Sequence, residues 1–414
     1  MLETKKLGEV CKFVRGPFGG SLKKNCFVEN GNAVYEQQHA IYNQFSEIRY
    51  FINDEKFEEM KRFELKSGDL IMSCSGTMGK VAIVPANIKK GIINQALLKL
   101  TPSKNLDIEY LRYWMSSPDF IQRIEENTVG AAIKNVASVK ILKEIKVPVP
   151  PLQQQQQIVA IINQAFEAID QAKANIEKNI ANAKELFQSK LNEIFSQKDD
   201  GWEEKSFKEL STRIGDGLHG TPNYDEDGEY YFINGNNLTN GLIEIKGNTK
   251  KVNYEEFIKH KKELNENTVL ISINGTLGNV AFYNNEKVIL GKSACYINFM
   301  PSVNKHFIKY LIKSPIFFKS MANESTGATI KNFSLKSMRE YIVNLPPMKI
   351  QNEIVQKLEL LETDVLEITY SYKQKLNNLE DLKKSILQKA FAGELTNMDF
   401  LQQVAEPEAS YTKK

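Results

Sequence analysis

Two long stretches of the chain repeat apolar residues in steps of four and three. The first stretch places them at Ile158, Ile162, Ala165, Ile169, Ala172, Ile176, Ile180, Ala183, Phe187, Leu191 and Ile194. This heptad spacing predicts a helix of about 45 residues over positions 150–195, roughly 65 Å long at 1.5 Å per residue. A helix of that length cannot bury its apolar stripe alone, so it needs a partner helix.

The second stretch supplies that partner. Pro346-Pro347-Met348 repeats Pro150-Pro151-Leu152, and a second seam follows at Ile354, Leu358, Leu361, Val365, Ile368, Tyr372, Leu376, Leu379, Leu382 and Ile386. A simple coiled-coil spacer is the plainest interpretation of either seam taken alone. Two matched seams, each following a globular segment of similar length, favour an intramolecular pair over two separate homodimer zippers.

The globular segments are also copies of one another. Residues 264–281 align without a gap to residues 65–82, with identity at seven of eighteen positions. In each copy the pattern predicts a strand, a glycine turn and a second strand. In the first copy we also expect one strand over residues 92–100, a helix around residues 110–114 and a strand at residues 145–147. A period near 200 residues indicates a duplicated module of domain plus helix, not a solenoid.

We therefore predict an α+β protein in which two repeated mixed α/β domains are separated by two long helices. The predicted segments are domain 1 (residues 1–149), the first long helix (150–197), domain 2 (198–345), the second long helix (346–396) and a polar tail (397–414).

Composition narrows the class of protein. A formal net charge of +3 over 414 residues means that any nucleic-acid surface must be local. The four cysteines lack CxxC spacing and the four histidines are scattered, so we expect reduced thiols and no metal site. Neither a signal peptide nor a membrane span is apparent, which indicates a cytoplasmic protein.

The two copies differ most in their loops. Residues 15–20 of the first copy read Arg-Gly-Pro-Phe-Gly-Gly, whereas residues 215–220 of the second read Gly-Asp-Gly-Leu-His-Gly. Residues 35–38 read Tyr-Glu-Gln-Gln, whereas residues 232–237 read Phe-Ile-Asn-Gly-Asn-Asn. The framework is kept while the loops change, so the two domains are expected to contact two different ligands.

With these motifs the chain resembles the specificity subunit of type I restriction–modification enzymes. The resemblance rests on the Pro-Pro-Leu/Met-x-x-Gln-x-x-Ile-Val helix starts, the stretch at residues 382–395, and the Arg-Gly-Pro-Phe-Gly and Asp-Gly-x-His-x-Thr-Pro loops. It covers roughly residues 1–396. One departure is the glutamine run at residues 153–157, where the family often has Glu-Gln; the docking role is kept and a charge is lost.

The resemblance implies two target recognition domains held apart by an antiparallel coiled coil. Each domain would read half of a split sequence in double-stranded DNA. The coil would dock two methyltransferase subunits, and motor–nuclease subunits would complete the restriction complex. The chain itself would be non-catalytic and free of cofactors, with S-adenosylmethionine, ATP and magnesium on its partners and no membrane contact.

Base reading needs side chains that donate and accept hydrogen bonds, and the divergent loops are rich in them. In the first domain we predict DNA contacts from Arg15, Lys23, Gln37, Gln38, His39, Ser75, Thr77, Lys80, Lys134 and Asn135. In the second we predict them from His219, Thr221, Asn234, Asn236, Asn237, Asn274, Thr276, Asn279, Lys331 and Asn332. The pairs at 134–135 and 331–332 occur in both copies, which suits phosphate positioning better than base specificity.

Two other classes compete with this interpretation. A stand-alone nuclease would use the Glu-x-Lys triplets at residues 144–146 and 244–246, but these are not at equivalent positions of the repeat. A phosphate-binding loop at residues 76–80 fails because Cys74 and Val81 replace required residues. A purely structural tether would leave the amide-rich loops unexplained.

Overall fold

The computed structural model describes residues 3–126, 138–323 and 332–395. The chain divides into two compact units, one of residues 1–176 with 374–414 and one of residues 177–373. Each unit contains a mixed α/β domain and one half of each long helix. The predicted α+β class with two repeated domains is confirmed.

In the described part of the chain, the first domain is built from short strands and short helices. Its strands are β1 (Thr4–Lys6), β2 (Cys11–Arg15), β3 (Asn32–Tyr35), β4 (Phe51–Ile52), β5 (Leu70–Ser73), β6 (Val81–Ile83), β7 (Gly91–Ile93), β8 (Leu97–Pro102) and β9 (Lys146–Pro148). Its helices are α1 (Leu7–Val10), α2 (Gln37–Tyr42), α3 (Asp54–Glu59), α4 (Ile108–Met115), α5 (Pro118–Glu126) and α6 (Val139–Glu144), followed by the long α7 (Leu152–Phe195).

Two larger sheets and the two-stranded antiparallel pair of β1 and β9 form the first domain. One is antiparallel with the order β2-β8-β5-β6, and the other has the order β4-β3-β7 with β3 and β7 parallel. The predicted hairpin is confirmed as β5 and β6. The prediction of one strand over residues 92–100 is wrong, because the chain leaves one sheet after β7 and enters the other at β8. Asn94 causes the break: its Oδ1 accepts from the Ala96 amide at 3.0 Å, and its carbonyl accepts from the Leu97 amide.

The second domain repeats this framework. Its strands are β10 (Glu203–Ser206), β11 (Ser211–Gly215), β12 (Tyr230–Ile233), β13 (Leu238–Thr239), β14 (Leu242–Ile243), β15 (Lys251–Val252), β16 (Thr268–Ser272), β17 (Val280–Phe282), β18 (Val288–Leu290), β19 (Ala294–Phe299) and β20 (Ile342–Leu345). Its helices are α8 (Tyr254–His260), α9 (Lys305–Lys313), α10 (Pro315–Asn323) and α11 (Leu335–Glu340), followed by the long α12 (Met348–Ala392). The sheet orders β11-β19-β16-β17 and β15-β12-β18 match those of the first domain, and the β13–β14 hairpin is an addition.

The two long helices run antiparallel within each unit. In the first unit, Asp170 pairs with Lys383 at 2.5 Å and Lys173 pairs with Glu380 at 3.1 Å, so one residue number rises as the other falls. In the second unit, the last turns of α7 and the first turns of α12 share one apolar core. The predicted coiled coil is confirmed within each unit.

One position of the predicted seam is wrong. Ile368 is 43% exposed, whereas its neighbour Thr369 is half-buried. The covered positions here are Leu361, Val365, Thr369 and Tyr372, which step by four, four and three. Positions that repeat strictly every seven residues drift around a straight helix, which has 3.6 residues per turn. Replacing a step of three with a step of four keeps the covered residues on one side of the helix.

A buried glutamine fastens each long helix to its own domain. Gln155 accepts from the Asp107 amide at 2.8 Å and donates to the carbonyls of Asn105 and Pro150. Gln351 accepts from the Asn304 amide at 2.7 Å and donates to Ser302 and Pro346 in the same pattern. Both side chains are fully buried. The glutamine of the Pro-Pro-Leu/Met-x-x-Gln motif is therefore structural in both copies.

A second polar contact in the second unit joins α9 to α12. Glu362 accepts from Lys313 at 2.9 Å and from the Tyr310 hydroxyl at 2.8 Å, and Lys309 lies 3.5 Å away. Burial opposes ionisation of Glu362, but the hydrogen bonds from Lys313 and Tyr310 outweigh it and hold its pKa below the ordinary 4.5. Burial lowers the pKa of Lys309, and Glu362 opposes that shift. The carboxylate is thus held in its ionised form.

Replacing Glu362 with glutamine should therefore change how the protein responds to acid. A carboxylate with a depressed pKa stabilises the fold fully above about pH 4.5, and that contribution is lost as the pH falls further. We expect Glu362→Gln to lower the free energy of unfolding by about 2 kcal/mol at pH 7. Urea unfolding should show the difference shrinking below pH 4.5. A difference that stays constant from pH 7 to pH 3.5 would contradict the ionised contact.

Candidate nucleic-acid interface

An open cleft of about 540 Å³ lies where the first domain's two sheets meet. α2 follows β3, and the turn after β7 lies at the same end of that sheet because β3 and β7 are parallel. The β5–β6 hairpin comes from the other sheet and completes the cleft. Most of the residues that line it are polar; they are Glu36, Gln37, Gln38, Ile41, Tyr42, Arg49, Ser75, Gly76, Asn94 and Ala96. Amides, a hydroxyl, an ion pair and a 73% exposed tyrosine therefore face one concave surface.

A bidentate ion pair fixes the cation of this cleft. Arg49 donates from Nε to Glu36 Oε2 at 2.9 Å and from Nη2 to Glu36 Oε1 at 3.0 Å. The hydrogen bond and charge of Glu36 raise the pKa of Arg49 above its ordinary value. The Glu36 side chain is largely covered, while that of Arg49 is 60% exposed. The arrangement holds a guanidinium at the rim in a defined orientation, as phosphate or base contacts require.

The equivalent surface of the second domain has smaller groups. Gly235 and Gly291 occupy the positions that Gln37 and Asn94 hold in the first domain, as the matched strand registers show. Asn234 Oδ1 accepts from Ser293 Oγ at 3.0 Å, and Ser293 Oγ also accepts from the Gly235 amide at 2.9 Å. One framework thus presents two different sets of polar groups.

Comparison with known proteins identifies the framework. Residues 2–182 and 199–380 each match the model of the type I restriction modification DNA specificity domain. The chain belongs to this family. Its members are the DNA-recognition subunits of type I restriction–modification systems and not their catalytic subunits.

Individual relatives are distant in sequence. The chain is 25% identical over 379 residues to a putative type I restriction enzyme specificity subunit, MjaX, of Methanocaldococcus jannaschii, which covers 83% of this chain and 82% of that protein. It is 22% identical over 312 residues to the EcoBI specificity subunit of Escherichia coli, covering 69% of this chain and 65% of that protein. The match therefore spans just under two thirds of the Escherichia coli protein's length.

Solved structures share the fold along nearly the whole chain. The HsdS subunit from Thermoanaerobacter tengcongensis superposes with a TM-score of 0.58 at 18% identity, covering 95% of this chain and 97% of that one. A chain from a structure of the assembly and conformational transition of the type I R-M system gives a TM-score of 0.69 at 17% identity, with coverage of 95% and 98%. At these identities the likeness shows the fold.

Two residues predicted to contact DNA are core residues of the specificity subunit instead. His39 is fully buried; its Nδ1 accepts from the Glu36 amide at 2.9 Å and its Nε2 donates to the Glu47 carbonyl at 3.1 Å. Asn237 is 5% exposed, accepts from the Asn234 amide and donates to the Glu244 carbonyl. They are equivalent residues, and each caps the start of a short helical turn. Their predicted role in DNA contact is therefore corrected to a structural one.

Other predicted residues of the first domain surround the cleft. Gln37, Gln38 and Ser75 line it, and Thr77 and Lys80 are exposed on the same hairpin. Arg15 ends β2 close to Cys74, where its charge opposes the burial that raises the thiol pKa to about 11. Lys23 is exposed on the following loop. DNA contact by these residues stays a prediction.

In the second domain the predicted residues fall on two loops and a hairpin. His219 is exposed, with its Nε2 at 2.6 Å from Asp216 Oδ2, and Thr221 follows on the same loop. Asn236 is exposed, and its carbonyl accepts from Lys246. Asn274 pairs with Asn332 in an antiparallel bridge, which brings the hairpin tip to the segment before α11. Thr276 and Asn279 share that hairpin.

Some predictions concern residues outside those that the structure describes, namely Lys134, Asn135 and Lys331. Sequence reasoning in turn missed Glu36, Tyr42, Arg49 and Asn94. Glu36 and Arg49 are thirteen residues apart, one before and one after α2, so no local pattern pairs them. Asn94 lies inside a largely apolar run, residues 92–100, whose pattern predicts one strand.

The remaining sequence predictions concern metal, nuclease and membrane features. Within residues 3–126, 138–323 and 332–395, no group of three His, Cys, Asp or Glu side chains is arranged to hold a metal ion. Glu144, in one of the Glu-x-Lys triplets, is ion-paired with Lys6 at 2.6 Å. No helix in this described part of the chain is long and apolar enough to cross a membrane.

Proposed function

We propose that this specificity subunit recognises an asymmetric, bipartite sequence in double-stranded DNA, with each domain reading one half. The observation that carries the proposal is the contrast between equivalent positions on one framework: Gln37 and Asn94 in the first domain, Gly235 and Gly291 in the second. Identical frameworks with identical polar groups would read one sequence twice. Different groups at the same positions read two sequences.

The long helices are proposed to dock two methyltransferase subunits, with motor–nuclease subunits joining to form the restriction complex. S-adenosylmethionine, ATP and magnesium would then bind those partners, and this chain would bind no cofactor. The complex acts where the DNA is, so we place it in the cytoplasm. The helices suit docking because they extend beyond the apolar cores that fasten their ends.

The test is methylation with a purified partner. The chain alone should neither cleave nor methylate DNA, and with a type I methyltransferase subunit it should direct adenine methylation to one split sequence. Sequencing of methylated adenines gives that sequence, and gel shifts on duplexes with either half scrambled check both halves. Methyl transfer by the isolated chain, or an undivided target, would contradict the proposal.

A contact between Lys80 and a DNA phosphate should be detectable in how the affinity for DNA depends on salt concentration. Lys80 is exposed beside the cleft, and its counterpart in the second domain is Asn279. Replacing Lys80 with alanine should weaken binding of all duplexes alike and reduce the slope of log affinity against log salt by about 0.9. Lys104→Ala, exposed on the loop before α4, is the matched control. An unchanged slope for Lys80→Ala would remove this residue from the interface.

A further inference from the structure

Gln37 has an unsatisfied polar atom. Its Oε1 is the one buried side-chain nitrogen or oxygen, among the residues that the structure describes, without a hydrogen-bond partner. Buried polar groups in folded proteins almost always have partners, and an exception calls for an explanation. The residue lies at the start of α2 on the wall of the cleft, opposite the hairpin tip at Gly76.

Neighbouring groups do not supply the missing donor. Ala96 donates its amide to Asn94 Oδ1, and Arg49 donates from Nε and Nη2 to the Glu36 carboxylate. Without a hydrogen bond to hold it, the Gln37 amide can swing into the cleft at little expense, since the last side-chain torsion of glutamine is broad. The open cleft gives the amide room to meet a ligand there.

The chemistry of the amide selects one base. An unsatisfied acceptor needs an N–H donor, and in the major groove only adenine N6 and cytosine N4 offer one. Guanine shows two acceptors, and thymine shows an acceptor and a methyl group. The Nε2 of the same amide needs an acceptor beside that donor. Adenine provides N7 next to N6, whereas cytosine provides only its amino group.

We propose that Gln37 reads an adenine of the first half-site, with Oε1 accepting from N6 and Nε2 donating to N7. The inference rests on the proposed function and adds to it the base and the residue. This contact gives both Oε1 and Nε2 of Gln37 a hydrogen-bond partner, whereas a purely structural role gives Oε1 none.

The second domain has no glutamine at the position equivalent to Gln37 and cannot read adenine in the same way. Its equivalent residue is Gly235, and a Cβ placed there would collide with Ser272 Oγ. The Gly235 amide is instead bound to Ser293 Oγ. This adenine contact therefore belongs to the first half-site only, and it contributes to the asymmetry of the target.

The experiment measures the binding of the subunit, assembled with its methyltransferase partner, to duplexes that carry each base pair in turn at every first-half position. The target itself comes from methylated sites directed by the wild-type complex. We expect wild type to prefer adenine at one position by roughly 10- to 100-fold, and Gln37→Ala to lose that preference. Gln37→Glu, which can only accept, should shift the preference to cytosine. The second half-site should be read unchanged.

Controls separate this inference from the proposed function. Gln122→Ala, exposed on α5 of the same domain, should leave every preference intact. If the wild-type complex has no bipartite target, the proposed function fails. If it has one and the Gln37 variants keep its preferences, or alter a position that is not adenine, only this inference fails. Melting curves and copurification show folding; failure of both Gln37 variants to fold would assign Gln37 a structural role and overturn it.

Discussion

Replacing Gln351 with alanine is expected to lower the free energy of unfolding by about 3 kcal/mol. The substitution removes three hydrogen bonds from a side chain with no solvent exposure. It leaves the Asn304 amide and the carbonyls of Ser302 and Pro346 without this partner. Because an unsatisfied buried group costs about 1–3 kcal/mol, the loss exceeds that of an ordinary surface contact.

Thermal unfolding gives the measurement. For units of this size a loss of about 3 kcal/mol corresponds to a fall in melting temperature of roughly 6–12 °C. Gln155→Ala should show a similar loss, because the same three kinds of hydrogen bond are removed. The matched controls are the exposed glutamines Gln156 and Gln356, whose alanine variants should melt like wild type. Equal melting of the buried and exposed variants would show that the glutamines do not fasten the helices.

These glutamines illustrate what sequence could and could not supply. The repeat at both helix starts was visible, and so were the long helices, because a seam of apolar residues reports directly on burial. The role of Gln155 was hidden in a run of five glutamines, of which it alone is fully buried. Two of its three partners, Asp107 and Asn105, come from the loop before α4, about 50 positions earlier, and no local pattern points to them.

The sequence predicts that the divergent loops form a polar surface, but it does not predict which residues lie on that surface. Divergent amide-rich loops indicated a reading surface, and Gln37, Gln38 and Ser75 do line one cleft. His39 and Asn237 belong to the same loops yet cap helical turns from within the core. Their side-chain chemistry is that of a base reader, and only burial distinguishes the two roles. Burial of a polar residue depends on distant strands, so the sequence could not decide it.

The largest change in specificity is expected from copying one domain over the other. Replacing residues 1–149 with residues 198–345 should yield a target that contains the second half-site twice and lacks the first. The graft should fold because the loop before α9 offers Gln155 the same groups that the loop before α4 offers it now. Methylation with the partner subunit, followed by sequencing of methylated adenines, gives the new target.

One compensating change is needed in the helix that receives the graft. Counting from the anchoring glutamines, Phe166 of α7 corresponds to Glu362 of α12. Glu362 holds Lys309, which is only 7% exposed, and Lys313. A graft onto unmodified α7 would leave this buried lysine without a carboxylate, at a loss of about 3–5 kcal/mol. We therefore expect the hybrid with Phe166→Glu to assemble, and the hybrid with Phe166 to be recovered poorly.

The comparison of the two hybrids makes the result interpretable. If the Phe166→Glu hybrid assembles and methylates the doubled half-site, the specificity resides in the grafted domain and the helices only carry it. If it assembles but still methylates the original asymmetric sequence, the first half-site is not read by residues 1–149. The proposal that each domain reads one half-site is then wrong. Recovery that does not depend on the residue at position 166 would instead contradict the role of Glu362 in holding α9. Domain exchange thus tests recognition and attachment with separate readouts, because the residues proposed to read DNA and those that fasten the helices are different side chains of the same domain.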